Sequence, residues 1–384
     1  MAKAYDVIVI GAGSVGTPAA FYMAEAGLRV LVVDRMASVG QGSSKSAIGG
    51  IRATHSDPAK IRLCLRSIAI VSTWKETYGD AIEWYRGGYS FVAYREREER
   101  ILKDLLVTQH SYGLNIRWLD KQDLLQIVPD LNPAGLLGGT FSPDDGHASP
   151  LLTVHAYYVH AREHGAEFLF HTNVTGLVIE GGRVRGVKTD QGEYGADVVI
   201  NAAGGWAAEV ANAAGIAVPV RPDSHEAAVT EPVARFLNPM VVDIRPVAGS
   251  ANYYFYQHYT GQVIFCITPS PSIWGTDLRE TSTFLPQVAR RMVDLMPRLK
   301  HLRVRRTWRG LYPMTPDGFP IVGWAKETAG FLLAVGMCGQ GYMLGPGLGE
   351  LLSRIVQGKM EEEDHMVCKY MSPYREFAGA ETLK

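Results

Sequence analysis

The sequence predicts an α/β protein in which a Rossmann-type dinucleotide-binding domain is joined to a second domain of mixed antiparallel sheet plus helices. Three observations lead to this fold class. A glycine-rich strand, turn and helix stand near residue 11, a second glycine-rich strand-to-helix junction begins near residue 336, and short strands broken by prolines lie between residues 221 and 306. Since no internal repeat or linker divides the chain, we expect the domains to be interleaved along it.

The first predicted element is a complete βαβ unit. Residues 7–10 form a continuous apolar run that indicates a buried strand, and residues 17–26 are predicted to form a helix that ends at Gly27. Residues 29–33 are the next apolar run and predict the second, parallel strand. A strand, a glycine turn, a helix and a second strand within about 30 residues are the pattern that binds a dinucleotide.

The turn of this unit carries the chemistry of a dinucleotide site. Gly11 permits the tight turn, Gly13 lets the backbone approach a pyrophosphate, and Gly16 lets the helix pack closely on the strand. The helix N-terminus then faces the phosphates. Asp34 stands at the end of the second strand, at the distance of about 20 residues where a carboxylate accepts the ribose hydroxyls.

Hydrophobic periodicity predicts the elements that follow. In chain order they are helices over 59–79 and 95–112, a loop with short strands over 129–150, a helix over 151–164, a hairpin over 168–188 and a buried strand over 196–203. Residues 221–306 are predicted to form a separate antiparallel sheet with one helix around 286–296.

The last predicted elements are a strand over 331–335, the glycine-rich loop 336–347 and a helix over 348–356. After Gly358 the acidic run 361–364 predicts a solvated surface end. These elements place the dinucleotide-binding domain at 1–85, 148–218 and 307–371, the second domain at 86–147 and 219–306, and a tail at 372–384.

Composition excludes several classes of function. The formal net charge is −1, so there is no basic field to hold nucleic acid or an anionic membrane. No run reaches the roughly 18 apolar residues of a membrane helix. The chain enters a strand carrying Asp6 at once, which leaves no room for a signal peptide. We therefore expect small-molecule chemistry in the cytoplasm.

Cysteine and histidine patterns favour no metal site. The four cysteines, Cys64, Cys266, Cys338 and Cys368, form no CxxC pair, so we expect reduced thiols without a disulfide framework. Residues 160–164 (HAREH) match the HxxEH pattern of zinc proteases, but the sequence suggests no third ligand. We interpret them as a surface face of the predicted helix 151–164.

Three further motifs carry a resemblance to a known family. They are residues 42–52 (GSSKSAIGGIR), residues 199–206 (VINAAGGW), and residues 314–321 (MTPDGFPI) followed by the 336–347 loop. With the N-terminal fingerprint, in this order and spacing, the sequence resembles the flavin-dependent D-amino-acid oxidase superfamily, in its sarcosine oxidase, glycine oxidase and proline dehydrogenase β-subunit branch. The resemblance covers nearly the whole chain and implies a glutathione-reductase-like FAD-binding domain.

The resemblance also implies which residues hold FAD. Backbone around residues 47–50 would lie against the isoalloxazine, Val174 would touch the adenine, and the 336–347 loop would face the flavin N1–C2=O end, where its helix dipole favours the reduced cofactor. The expected cofactor-binding residues are Gly11, Gly13, Ser14, Val15, Gly16, Asp34, Arg35, Ser43, Ser44, Lys45, Ala47, Gly49, Val174, Ala203, Gly204, Trp206, Gly310, Gly336, Gly339, Gly341, Tyr342 and Met343.

On the substrate side, the resemblance places Arg52 where it would bind a carboxylate. Tyr256 and His258 are the candidate bases, although the substrate amine could also bind in its neutral form. The aromatic run 253–258 fits either an amine-binding wall or plain core. Both interpretations stay open.

Three positions depart from the relatives that the sequence resembles. Gly310 stands where covalent members carry a flavin-bearing cysteine, and Pro150 stands where heterotetrameric members carry a second flavin on histidine. Met343 stands where many oxidases have a carboxylate-binding lysine. These departures imply a non-covalent FAD and leave the substrate open.

The expected activity is oxidation of the Cα–N bond of a small or secondary amino acid by hydride transfer to flavin N5. Two alternatives stay open: a 2-hydroxyacid or polyol-phosphate dehydrogenase, and the flavin subunit of a larger complex with a partner subunit. The electron acceptor is oxygen or a redox partner. Because no lysine occurs between Lys188 and Lys300, we expect a dehydrogenase rather than a fast oxidase.

Overall fold

The computed structural model describes residues 4–383 of the 384-residue chain. In chain order its elements are β1 (Ala4–Ile10), α1 (Gly16–Glu25), β2 (Val30–Val33), β3 (Gly50–Ile51), α2 (Pro58–Ser72), α3 (Trp74–Tyr78), β4 (Tyr89–Ala93), α4 (Glu96–Ser111), β5 (Arg117–Asp120), α5 (Lys121–Ile127), β6 (Gly138–Ser142), β7 (Gly146–His147), α6 (Pro150–Glu163), β8 (Glu167–Leu169), β9 (Val174–Glu180), β10 (Arg183–Thr189), β11 (Gly192–Asn201), α7 (Ala207–Asn212), β12 (Arg221–Thr230), β13 (Met240–Asp243), β14 (Gly249–Gln257), β15 (Val263–Ser270), α8 (Phe284–Leu295), β16 (Val304–Met314), β17 (Ile321–Trp324), β18 (Phe331–Val335), α9 (Gly341–Gln357) and α10 (Glu362–Tyr370).

The first sheet confirms the predicted dinucleotide-binding fold. Its strand order is β17-β18-β11-β1-β2-β8, and β1 pairs in parallel with both β2 and β11. Val7 and Val9 of β1 pack in the core beneath α1, α2, α6 and α9, whereas Ile8 and Ile10 pack in the core on the opposite face. Both faces of the strand are therefore apolar, as an interior parallel strand requires.

The second sheet forms the other layer of the molecule, in the order β16-β12-β15-β14-β13-β4-β6-β5. One of its faces packs on α8, and the side chains that pack there include Tyr253 and Phe255 of β14. The edge strand β16 pairs with β12 from Val304 to Met314. The boundary expected at residue 307 therefore falls inside a strand that belongs to the second sheet.

Helix α9 begins at Gly341, seven residues before the predicted start at 348. Its glycines allow it to lie directly against α1, because a Cβ at Gly345 would stand 1.9 Å from the carbonyl oxygen of Ser14. A Cβ at Gly349 would stand 2.5 Å from Pro18. Glycine lowers helix propensity in isolation, but here close packing of two helices outweighs that preference.

The segment after Gly358 is solvated only in part: residues 361–363 are exposed as predicted, whereas Asp364 is buried. Helix α10 starts with a capping box between Glu361 and Asp364, and Arg354 binds the Asp364 carboxylate. Beyond it the chain turns back to the protein interior, where Glu381 and Leu383 are buried. Among the helices within residues 4–383, none has both the length and the apolar character needed to cross a membrane.

Candidate functional site

A cavity of about 470 Å³ runs between the two sheets. At one end its wall is formed by residues that follow β2 and by the β9 strand, including Asp34, Arg35 and Val174. At the other end the wall is aromatic and comes from the second sheet, including Tyr89 and Tyr254. The cavity therefore connects the carboxyl ends of the parallel strands with the face of the antiparallel sheet.

Two side chains fix the glycine-rich turn at the first end. The Asp34 carboxylate accepts hydrogen bonds from the backbone N–H of Ala12 at 2.7 Å and of Met36 at 2.8 Å. The Ser44 hydroxyl accepts one from the N–H of Ser14 at 2.9 Å. No acidic residue lies in the first turn of α1, so the positive end of its dipole is free to face an anion such as a pyrophosphate.

Arg35 and Trp206 meet at the mouth of this end. The guanidinium carbon of Arg35 lies 3.8 Å from the centre of the Trp206 ring. Their stacking joins the end of β2 to the short 3₁₀ turn Gly204–Trp206. The pair forms a flat, cationic border beside Val174, and such a surface suits an adenine ring.

The structure brings most of the expected cofactor residues to this cavity. The residues that line it are Gly11, Gly13, Ser14, Val15, Asp34, Arg35, Ser43, Ser44, Ala47, Gly49, Val174, Ala203, Gly204, Trp206, Gly310, Gly339, Gly341, Tyr342 and Met343. Three lie outside its wall. Gly16 packs behind the turn, Lys45 is exposed, and Gly336 packs against Thr315.

A flavin dinucleotide fits this arrangement. Two helix N-termini, those of α1 and α9, reach the cavity through glycine-rich turns, and neither helix has an acidic residue in its first turn. Gln340, immediately before α9, is buried in the cavity wall, and its Oε1 has no hydrogen-bond partner within residues 4–383. An unsatisfied buried acceptor at this point is consistent with a ligand that supplies a donor.

Arg52 lies in the wall at the aromatic end and is buried. Its guanidinium donates to the carbonyl oxygens of Thr54 and, at 2.6 Å, Leu383. It also lies 3.2 Å from Nδ1 of His55, which accepts because Arg is a donor only. Within the described residues no carboxylate lies within ion-pair distance of Arg52. Asp145 interacts with its charge only from farther away, so the guanidinium can still attract an anion from the cavity.

The structure keeps the segment after Arg52 rigid. Asp145 is buried and accepts hydrogen bonds from the N–H of Ala53 at 2.9 Å and from the hydroxyl of Thr54 at 2.7 Å. Burial, and then the charge of Arg52, hold the pKa of His55 well below its usual range. A neutral His55 adds no second positive charge beside Arg52.

Tyr256 and His258, the expected bases, do not line the cavity. The Tyr256 hydroxyl donates to the carbonyl oxygen of Ile48 at 2.6 Å and so supports the segment before Gly49. His258 lies 3.7 Å from Glu83 and 2.6 Å from the hydroxyl of Thr260. His258 follows the last residue of β14 and is not part of the cavity wall.

The cavity instead contains a histidine that the sequence did not single out. His225 lies in its wall on β12, and its Nε2 is 3.2 Å from the carboxylate of Asp223. Burial acts to raise the pKa of Asp223, but the hydrogen bonds that it accepts from His225 and from the N–H of Ile273 hold it below its usual range. Asp223 is therefore a carboxylate, so Nε2 carries a proton and, in the neutral ring, Nδ1 presents a lone pair.

The Nδ1 atom of His225 is buried and has no hydrogen-bond partner within residues 4–383. A buried acceptor without a partner costs about 1–3 kcal/mol, so its presence calls for a functional reason. The only local signal for this pair is the alternation of Asp223 and His225 on β12, which places both side chains on one face.

Two tyrosines complete the aromatic end. The ring of Tyr312 stacks on His225 with centroids 3.8 Å apart, and its hydroxyl lies 2.7 Å from that of Tyr254. Burial raises the pKa of both phenols well above the ordinary value. The pair is therefore neutral at physiological pH and offers hydroxyl groups that donate and accept.

Two thiols also lie in the cavity wall, those of Cys266 and Cys338. Burial raises the pKa of Cys266 to about 12 and raises the pKa of Cys338 as well.

Within residues 4–383 no group of three or more His, Cys, Asp or Glu side chains is arranged to hold a metal ion. His160 of the HxxEH pattern instead lies 2.9 Å from Asp80 and 2.8 Å from Glu163.

Comparisons with known proteins identify the family and the fold of this chain. Residues 6–355 match the family described as DAO, FAD dependent oxidoreductase. The hydrogen cyanide synthase subunit HcnC of Pseudomonas aeruginosa is 28% identical over an alignment of 398 positions, gaps included, that covers 93% of this chain and 93% of that protein. The crystal structure of L-proline dehydrogenase from P. horikoshii has a TM-score of 0.90 at 30% identity and covers 98% of both chains. Glycine oxidase from Geobacillus kaustophilus has a TM-score of 0.86 at 25% identity, covering 97% of this chain and 99% of that one.

Proposed function

Because this chain belongs to the DAO family of FAD-dependent oxidoreductases, we propose that it oxidises the Cα–N bond of a small or secondary amino acid. Bound FAD supplies the two-electron acceptor that takes a hydride from the substrate carbon. The observation that carries the proposal is Arg52, a buried cation in the cavity wall without a carboxylate partner among the described residues. A substrate carboxylate is the anion that this guanidinium would hold.

The residues near Arg52 support an amino acid with a small apolar part. Phe91 lies below the guanidinium, 5.3 Å from its carbon, and lines the cavity together with Met240 and Val242. These side chains form an apolar wall beside one charge, which suits a short alkyl chain or a small ring attached to a carboxylate. The guanidinium and the apolar wall together fix the position of the substrate Cα, and this positioning lowers the barrier to hydride transfer.

His225 is the residue that we assign to the substrate amine. An amino acid is mainly protonated at neutral pH, and its nitrogen must lose that proton before the bond to carbon is oxidised. The Nδ1 lone pair of His225 accepts the proton, while Asp223 stabilises the imidazolium that forms. Tyr312 and Tyr254 keep the ring in place and contribute neutral hydroxyls.

The hydroxyl-oxidising alternative is less well supported. A polyol phosphate would need several basic side chains around its phosphate. Among the described residues that line the cavity, Arg35 and Arg52 are the only lysine or arginine side chains, and Arg35 stacks on Trp206 at the far end. A 2-hydroxyacid would still satisfy Arg52, so it belongs in the test.

An anaerobic bleaching screen tests the proposal. Holoenzyme is mixed without oxygen with glycine, sarcosine, L-proline, D-proline and alanine, and in parallel with glycolate, lactate and glycerol 3-phosphate. We expect loss of the flavin absorbance with at least one amino acid. Bleaching by hydroxy compounds alone would overturn it.

A role within a larger complex is a second candidate, since the similar protein HcnC is named as a subunit. Purification of the chain from its own host, without a tag and at moderate salt, addresses this possibility. A second polypeptide that stays with the chain in fixed proportion and accelerates reoxidation would support it.

We predict that FAD is held without a covalent bond. Gly310 has no thiol, and a Cβ at this position would lie 2.6 Å from the Cβ of Ser46. Pro150, at the start of α6, has no imidazole. After acid precipitation the yellow colour should remain in the supernatant. Colour in the protein pellet would show an attachment at another residue.

We also predict slow reaction of the reduced enzyme with oxygen. A fixed positive charge near the flavin stabilises superoxide as it forms, and no lysine is among the described residues that line the cavity. Stopped-flow reoxidation should be slower with oxygen than with an artificial acceptor such as a quinone. An oxygen reaction as fast as the quinone reaction would contradict the prediction, and Arg52→Met would then show whether the Arg52 guanidinium is its source.

A further inference from the structure

The C-terminal segment reaches the candidate substrate site from outside the region that matches the family, which ends at residue 355. Leu383 is fully buried and packs with Phe91 and Leu102 of the second domain. Its carbonyl oxygen accepts the 2.6 Å hydrogen bond from Arg52. The last described residues of the chain therefore touch the guanidinium that we assign to the substrate carboxylate.

A buried ion pair anchors this segment. Nζ of Lys60, on α2, lies 2.8 Å from the carboxylate of Glu381, and both side chains have no exposed surface. Lys60 also donates to the carbonyl oxygen of Gly318 at 2.8 Å. Burial acts to raise the pKa of Glu381, but the Lys60 ammonium holds it well below its usual range. Removing one partner of such a pair leaves an uncompensated buried charge. The ion pair therefore disfavours any arrangement in which Glu381 moves away from Lys60.

Further hydrogen bonds place the backbone between this anchor and Arg52. The Glu381 carboxylate accepts from the hydroxyl of Ser56 at 2.6 Å and from the N–H of Leu383 at 3.0 Å. The N–H of Glu381 donates to the carbonyl oxygen of Asp317 at 3.1 Å. Ser56 follows Arg52 by four residues, so the same carboxylate holds both the tail and the segment that carries Arg52.

We propose that the C-terminal segment 380–383 is a positioning element that holds the Arg52 guanidinium for a carboxylate ligand. The proposal rests on the proposed function, in which Arg52 binds the substrate carboxylate. The carbonyl oxygen of Leu383 accepts a hydrogen bond from one NH₂ group of Arg52, and Thr54 and His55 accept from the other. These bonds fix the plane of the guanidinium and therefore the direction of its remaining N–H donors. A planar guanidinium binds a carboxylate well only in such a fixed orientation.

The test compares the full-length holoenzyme with a chain shortened after Gly379, using acetate as the probe and acetamide as its uncharged control. Binding is followed by the change in flavin absorbance, which requires no turnover. In the shortened chain we expect the Kd of acetate to rise about tenfold, the effect of losing one hydrogen bond to a charged group, while the Kd of acetamide is unchanged. The KM of any amino-acid substrate should rise more than kcat falls.

A second set of variants keeps the test decisive if the shortened chain is unstable. Full-length Glu381→Gln should weaken acetate binding severalfold, whereas Glu376→Gln, which changes an exposed charge shortly before the segment 380–383, should leave it unchanged. A synthetic peptide of residues 376–384 added to the shortened chain should restore the affinity.

The outcomes separate this proposal from the proposed function. If an amino acid bleaches the flavin and all variants bind acetate as the full-length protein does, the positioning role is wrong and the function stands. If acetate binding depends on the segment but no amino acid bleaches the flavin, the function is wrong and the positioning role stands. Tighter acetate binding in the shortened chain would overturn the proposal, because the segment would then compete with the ligand.

Discussion

Replacing His225 by glutamine is expected to lower kcat/KM for the amino-acid substrate by about 10²- to 10⁴-fold near neutral pH, the range of general acid–base catalysis. The residue lies in the cavity wall, its Nε2 bonds Asp223, and its Nδ1 has no partner within the described residues. Glutamine is uncharged and similar in reach, but it cannot take up a proton at this pH. The measurement is steady-state kcat/KM from acidic to alkaline pH, with FAD content checked for each preparation.

The shape of the pH profile identifies the role of His225. At alkaline pH the substrate loses its proton to solvent, so the deficit of His225→Gln should shrink as the pH rises. Ser224→Ala is the matched control, because its hydroxyl donates to the carbonyl oxygen of Asp277 and the residue does not line the cavity. A deficit that is equal at every pH would limit His225 to packing against Tyr312.

The second large effect is expected for Arg52→Met. Losing a hydrogen-bonded partner to a charged group costs about 1.5–3 kcal/mol, which corresponds to a decrease in kcat/KM of roughly 10- to 150-fold. Methionine keeps the length and the apolar stem of the side chain, so FAD should stay bound. Steady-state kinetics on the substrate found in the bleaching screen measure the change.

Two comparisons test whether the effect of Arg52→Met arises from binding of the substrate carboxylate. Arg52→Lys should recover only part of the loss, since an ammonium lacks the planar fork of the guanidinium. The amide of the same amino acid has no carboxylate, so Arg52→Met should leave its already weaker oxidation nearly unchanged. If Arg52→Met lowered kcat/KM equally for the amino acid and for its amide, the substitution would be acting on the fold and not on binding of the carboxylate.

Elements with local sequence signals could be predicted. The βαβ unit and the strand β18 (Phe331–Val335) follow from apolar runs next to glycine turns, and the structure has them at nearly the predicted bounds. The aromatic run 253–258 divides between the two faces of one strand, so the core interpretation holds for one face, while an amine-binding wall on the other face stays a prediction. Tyr253 and Phe255 pack in the core, whereas Tyr254 lines the cavity.

Features that depend on distant parts of the chain could not be predicted. The early start of α9 results from its contact with α1, which lies more than 300 residues away in sequence. The importance of His225 becomes visible only when β12 and β16 bring it beneath Tyr312. Glu381 carries no local signal in the tail 372–384, and only the fold brings Lys60 to it.

The thiols in the cavity wall, those of Cys266 and Cys338, are potential sites of oxidative damage to the enzyme. Sulfur oxidation and alkylation start from the thiolate, and burial keeps Cys266 and Cys338 protonated at neutral pH. An oxidant or electrophile that enters the cavity therefore meets both sulfurs in the less reactive thiol form. Exclusion of water from the cavity wall is thus expected to slow the oxidation of both thiols.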